Sequence, residues 1–301
     1  MKKLLLCSLI GFASPSYADF IGIYGKAGVW NAGFEGTVSG IKDKIKREAN
    51  GQEIPNFETR GLDNDNQITG WVAFEHPIPF LPNVRLGYTG VESSGWSTEN
   101  ISTDKITVPY NGVNITYDGS QPIYTTMQFD ALDGTVYWEI LDNWVNLDLG
   151  LTVRKMDGDF KETIEETALP TQQFGGADGC GGLEPTTVIL GGFISLPGCI
   201  RPQTTAVTPI DILLPLIYAK AQFDLPFTGT YVAATVQGIS ASGNSMVDID
   251  LEAGYNFSLT VMDIGASIGY REATLNAKDL DDLYAKDAKL SGVYGALSVH
   301  F

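Results

Sequence analysis

The chain has 301 residues, with 36 Asp and Glu against 19 Lys and Arg and a formal net charge of −17 at pH 7. So acidic a chain repels phosphate backbones, which are bound by clustered Lys and Arg, and nucleic-acid binding is excluded as a function class. The length fits one large domain or two small ones and decides little.

The first element is a leader. Met1, Lys2 and Lys3 form a basic start, residues 4–13 an apolar run, and Ser16-Tyr17-Ala18 places small residues at alternate positions. Residues 1–18 are therefore predicted to be a signal peptide cleaved after Ala18. The run is far shorter than the roughly 20 residues of a spanning helix. Cys7 lies inside it with no small residue before it, which argues against a lipoprotein. Beyond residue 18 no apolar stretch is long enough for a transmembrane helix, but a membrane barrel hides its lipid face in alternate residues.

Residues 19–301 carry that alternation. Strands are predicted over 20–35, 67–78, 83–96 and 121–141. The last of these changes phase near Asp133-Gly134: Met127 and Phe129 share one parity, and Val136, Trp138 and Ile140 take the other. A β-bulge is expected there. Next comes a clear strand over 145–153, with Val145, Leu147, Leu149, Leu151 and Val153 opposed to Asn146, Asp148, Gly150 and Thr152. In 217–225, Ile217, Ala219, Ala221 and Phe223 oppose Tyr218, Lys220, Gln222 and Asp224. Strand 230–241 is weaker, and 247–257 is the clearest of all, with Val247, Ile249, Leu251, Tyr255 and Phe257 against Asp248, Asp250, Glu252 and Asn256. Strands 260–273 and 289–301 bring the number to about ten. The connections near 79–82, 142–143, 226–229 and 256–258 are short, whereas those at 37–66, 97–120, 159–208 and 274–288 are long, with a tight turn at Gly243-Asn244. Short turns on one side and long loops on the other predict an all-β, antiparallel, up-and-down transmembrane β-barrel, its turns in the periplasm and its loops outside.

At the C-terminus Val293, Gly295, Leu297, Val299 and Phe301 alternate and the chain ends on the aromatic. This resembles the C-terminal strand signature of Gram-negative outer-membrane barrels. The resemblance implies outer-membrane localisation and recognition by the barrel-assembly machinery through Leu297, Val299 and Phe301. Three further stretches, Phe74-Glu75-His76-Pro77, 137–143 (Tyr137 to Asn143) and Leu147-Asp148-Leu149-Gly150-Leu151, are similar to a family of small gammaproteobacterial outer-membrane barrels of unassigned activity. That likeness implies fold and compartment and no catalytic residues.

The inward faces are predicted to carry fourteen charges. From the first half of the chain come Lys26, Glu75, Arg85, Asp130, Glu139, Asp148 and Arg154; from the second, Lys220, Asp224, Asp248, Asp250, Glu252, Asp263 and Arg271. Nine are acidic. Either they pair and knit a narrow barrel shut, or they line a small pore that favours cations. A bore of about ten strands lies between a side-chain-filled barrel and an open porin, and the filled interior is preferred. A structural or surface-interaction barrel and a small passive channel, for small, cationic or apolar solutes, are thus the two expected functions.

An enzyme is not expected. Only His76 and His300 could supply imidazole, and both fall near the turn ends of their strands. Asp279, Asp281 and Asp282 lack the spacing of a calcium loop, and neither cofactor nor metal is expected. Cys180 and Cys199 share loop 159–208 of an exported chain and are expected to form a disulfide, with zinc as the weaker alternative. That loop also carries an apolar run, Val188-Ile189-Leu190 continuing to Phe193-Ile194, which is expected to fold into the mouth, bind an apolar solute or partner, or pack on neighbouring loops. Residues 41–49 read as a short basic amphipathic helix that could touch lipopolysaccharide or cap the barrel. The expected partners are outer-membrane lipids and lipopolysaccharide.

Overall fold

The computed structural model describes residues 22–40, 45, 57, 60–62, 64, 65–78, 80–100, 106–110, 113–117, 120–164, 167–170, 184–190, 194–201 and 204–301; side chains are described outside 98–122 and 164–204. The predicted leader, Cys180 and most of 41–49 lie outside the described residues; Ile45 alone of that segment is described, helical and exposed.

In chain order the strands are β1 (Gly22–Gly40), β2 (Asp65–Glu75), β3 (Asn83–Asn100), β4 (Ile106–Tyr110), β5 (Val113–Tyr117), β6 (Ser120–Leu141), β7 (Val145–Ile164), β8 (Thr167–Pro170), β9 (Glu184–Leu190), β10 (Ile194–Arg201), β11 (Thr204–Asp224), β12 (Thr230–Ala241), β13 (Asn244–Ser258), β14 (Asp263–Leu280) and β15 (Leu283–His300). Ten of them close an antiparallel barrel in the order β1-β15-β14-β13-β12-β11-β7-β6-β3-β2. The hairpin β4–β5 and a three-stranded sheet β8-β10-β9 belong to the long connections. The chain is an all-β, ten-stranded, up-and-down barrel, as its alternation predicts. At the seam Ile23 and Phe301 exchange both backbone hydrogen bonds, at 3.1 and 3.0 Å, so the last residue helps to close the ring.

The strands are longer than the alternation suggests. β6 has 22 residues, β11 has 21 and β7 has 20, where about 9–11 tilted residues cross a membrane. Segment 274–288, expected as a loop, is the outer part of the β14–β15 hairpin, and 159–208 includes the ends of β7 and β11. The acidic tip of that hairpin has a conformational cause: Asp281 and Asp282 both adopt positive φ, 52° and 65°, as a two-residue hairpin turn requires.

The extra length explains the phase change in β6. From the turn end to mid-strand, Val136 and Trp138 point outward and Thr135 and Tyr137 inward; farther up, Met127, Phe129 and Ala131 keep the same inward parity and are buried. Pairing of β6 with β3 and with β7 runs unbroken through Asp133 and Gly134. The expected bulge is therefore absent. What switches is the polarity of the two faces: near the turns the barrel is apolar outside and polar inside, and near the loops it is polar outside and apolar inside. β11 shows the same reversal, with Ile210, Ile212, Leu214 and Leu216 buried inside and Ile217 and Phe223 exposed outside. True irregularities fall elsewhere, between Glu139 and Leu141 in β6 and where β15 bulges opposite Gly36.

This reversal corrects one lumen assignment. Asp130 points outward and is exposed, accepting a hydrogen bond from the Tyr88 hydroxyl at 2.8 Å on the same outer face. Asp133, three residues on and of opposite parity, is the carboxylate that enters the lumen. Asp130, Asp157 and Asp211 stand directly opposite one another on β6, β7 and β11, and Lys155 pairs with Asp211. This polar row marks the upper limit of the outer apolar band. Below it, Val145 to Val153 on β7 climbs roughly 20 Å at about 3.4 Å per residue and a tilt of about 40°, close to the height of a barrel's lipid-facing belt. Exposed aromatics at the turn end, Phe80, Trp144, Phe227 and Phe257, rim that band.

Leu149→Arg, in the middle of the outer apolar band, is expected to destabilise the barrel by about 2–4 kcal/mol, and Gln128→Arg, outward but above the band, by less than about 1 kcal/mol. Urea unfolding of the two variants refolded into lipid vesicles measures the difference.

Candidate functional site: a lumen divided into three cavities

Among the described residues, three cavities stack along the bore. A basin of about 230 Å³ opens at the turn end. Above it lies a cavity of about 70 Å³ that shares Lys26, Trp71, Arg85, Thr235 and Asp250 with the basin. Highest is an apolar chamber, also about 70 Å³, which shares Thr89, Arg154 and Arg271 with the middle cavity. The shared residues are the partitions.

The upper partition is an ion-pair layer. Arg154 on β7 forms a fork with Asp133 on the adjacent strand β6, Nε and Nη2 donating at 2.7 Å each. Its Nη1 donates to Asp248 at 2.8 Å and its Nη2 to Gln237 at 2.6 Å, reaching β13 and β12 across the bore. Arg271 on β14 grips Asp248 through Nε at 3.0 Å and Nη2 at 2.7 Å. Its Nη1 donates to Thr89 on β3 at 3.0 Å, four strands away around the ring. Arg271 also lies 4.9 Å from the Trp30 ring centre. Arg154 is 2% exposed and Asp248 5%, so each charge depends on its partners rather than on water. Two guanidiniums face two carboxylates, and the layer is neutral.

The lower partition gathers at Glu252, which accepts from Lys26 and Tyr231, and the single Tyr294 hydroxyl lies between Glu252 and Asp250, at 2.5 and 2.7 Å. On the opposite wall Arg85 donates to the Tyr218 hydroxyl at 3.3 Å and lies 4.4 Å over Trp71. Tyr137 donates to Glu75 at 2.6 Å.

The basin carries Glu75, Glu139, Asp142, Asp148, Asp250, Glu252 and Asp263 against Lys26, Arg85 and Lys220. Glu139, Asp148 and Lys220 stand in register across β6, β7 and β11, which sets one cation beside two carboxylates. Asp224 closes the row at the turn end, accepting from Asn146 and Gln222 at 2.9 Å each. His300 stacks on Tyr24 with ring centres 3.9 Å apart, and its Nδ1 lies 3.7 Å from Asp263. His76 accepts from the Ile78 amide at 3.3 Å in the turn after β2. Among the described residues no group of His, Cys, Asp and Glu is able to hold a metal ion.

Thirteen of the fourteen predicted charges thus face the interior and Asp130 does not. Asp133 was missed because its parity is legible only without the supposed bulge. The tyrosines that bridge the carboxylates were missed because nothing local separates an inward Tyr from an outward one. A further element is Phe57, Arg60 and Leu62, from the β1–β2 connection, which are buried in the mouth. The Arg60 Nε donates to Glu162 at 3.0 Å and its guanidinium lies 4.7 Å over Phe160.

No protein-family model matches the chain, and no curated relative is found. Among solved structures it is similar to the outer membrane protease OmpT from Escherichia coli, at 9% identity and a TM-score of 0.44, over 95% of this chain and 97% of that one. The gammaproteobacterial resemblance has no matching model behind it. The expectation that the chain is not an enzyme is corrected by the solved neighbour, a barrel of similar architecture that is a protease. A likeness of this depth transfers neither that activity nor any residue role.

Arg154→Met is expected to cost roughly 3–5 kcal/mol, because Asp133 and Asp248 lose a shared buried partner. Adding Asp133→Leu is expected to recover about 1–3 kcal/mol of that loss. Urea titration of the single and double variants in detergent checks both numbers.

Proposed function

We propose that the protein is an outer-membrane barrel with its turn end in the periplasm, whose lumen is closed to ions and whose role is structural or exerted at the cell surface by its loop end. The observation that carries this reading is the ion-pair layer of Arg154, Arg271, Asp133 and Asp248, which ties β7 to β13 and β14 to β3 with no charge left over. The apolar side chains above it form a second seal. The outward Leu297 and Val299, with the terminal Phe301, fit recognition by the barrel-assembly machinery, and the outer apolar band fits lipid with lipopolysaccharide above it. In planar bilayers the purified protein is expected to give no current steps, and stepwise conductance would overturn the closed-barrel reading.

The second reading is a small cation-preferring channel. It is favoured by the basin's seven carboxylates against three Lys and Arg cations and by the alignment of the three cavities. Cation-selective steps in a KCl gradient would establish it, and a selectivity for anions would count against both readings.

Cys180 and Cys199 complete the proposal as a disulfide in the long β7–β11 connection, where Cys199 belongs to β10. With the leader and Cys7 removed, the mature protein is expected to take up no iodoacetamide before reduction and two carbamidomethyl groups after it, read by mass spectrometry.

A further inference from the structure

The apolar side chains above the ion-pair layer serve the closed-barrel reading as a second seal, yet the chamber they line is not filled. A core that only held the extended strands together would be close-packed, with few voids larger than a water molecule. Here a cavity of about 70 Å³ remains, among Trp30, Phe57, Val91, Phe129, Ile210 and Leu283. Met127, Met156 and Met246 line it as well, and unbranched thioether side chains can re-pack around an apolar guest.

We propose that this chamber is a binding site for the end of a single unbranched alkyl chain, inserted methyl end first from the loop end of the barrel. Three features select that ligand. First, the chamber is unsuited to water or ions. A buried water needs two to four polar partners, and the polar floor is already engaged: Arg154 and Arg271 each donate through Nε, Nη1 and Nη2 to residues of the layer, and Thr89 accepts from Arg271. Second, the chamber is narrow. A benzene-sized guest occupies a cavity of about 150 Å³, roughly twice this one, whereas a chain end needs only the cross-section of a methylene. Third, the chamber is blind. The ion-pair layer closes it below, so an occupant is held rather than passed on. Phe57, itself buried, forms part of the wall on the mouth side, edge-on to Phe34 at 6.1 Å between ring centres, so that a guest enters only by displacing that ring. The blind floor rests on the same ion-pair layer as the closed-barrel reading, but occupancy is read from Trp30 emission and closure from bilayer conductance, so the two fail separately.

Trp30 lines the chamber and reports on it. A variant carrying Trp71→Phe, Trp96→Phe, Trp138→Phe and Trp144→Phe keeps Trp30 as the one indole among the five tryptophans. In phosphatidylcholine vesicles, titration with 8-bromooctan-1-ol is expected to quench at least half of the Trp30 emission along a saturating curve. Ala131→Leu or Ala288→Leu, each filling the chamber from its wall, is expected to abolish the saturating component, while a heat-induced gel shift verifies that the barrel has formed. The rigid probe 4-bromobenzyl alcohol is expected to give no saturating component. Absence of quenching by the octanol derivative would overturn the proposal, leaving a dry void. Linear quenching that the filled variants share would also overturn it, as partition into the bilayer, and equal saturation by the ring probe would overturn the alkyl-chain assignment.

Discussion

Arg154 sits where the barrel changes character, and the rest of the lumen is arranged around what that position demands. A guanidinium with almost no contact with water must have its charge matched and its donors occupied. One neighbouring strand alone does not meet both needs: Asp133 on β6 forms the fork, and Asp248 on β13 and Gln237 on β12 each accept one further N–H. Asp248 is then shared with Arg271, which anchors on β3. The layer therefore ties strands that are not neighbours in the sheet.

The layer also separates two solvents. Beneath it the outer face meets an apolar environment, and polar side chains have only the interior in which to find partners. Above it the outer face carries Asp130, Asp157 and Asp211, and the apolar side chains turn inward. A β-sheet has two faces and a fixed period of two, so the inversion requires no change in backbone, only a change in which parity is apolar. The outcome is a membrane barrel that continues, without interruption, as a barrel with its own hydrophobic core.

That continuity governs how function is to be read. A lumen with an acidic basin at one end and an apolar chamber at the other, separated by a neutral salt-bridged layer, presents different chemistry to each side. The two histidines of this chain stand at the turn end, away from the chamber.

The sequence by itself determined the barrel: strand number, the inward and outward faces of β7 and β13, the short turns, and the chain-terminal strand that closes the ring. Each of these rests on local alternation, and alternation is written in consecutive residues. It also misled in one place, because a reversal of polarity and a bulge leave the same trace along β6, and only cross-strand register tells them apart. Tertiary structure alone decided which charges meet. Arg154 and Asp248 are 94 positions apart and Arg271 and Thr89 are 182 apart, and neither pair is on adjacent strands. Their contact depends on the circumference and stagger that closure imposes, a property of the whole ring that no segment of the chain contains.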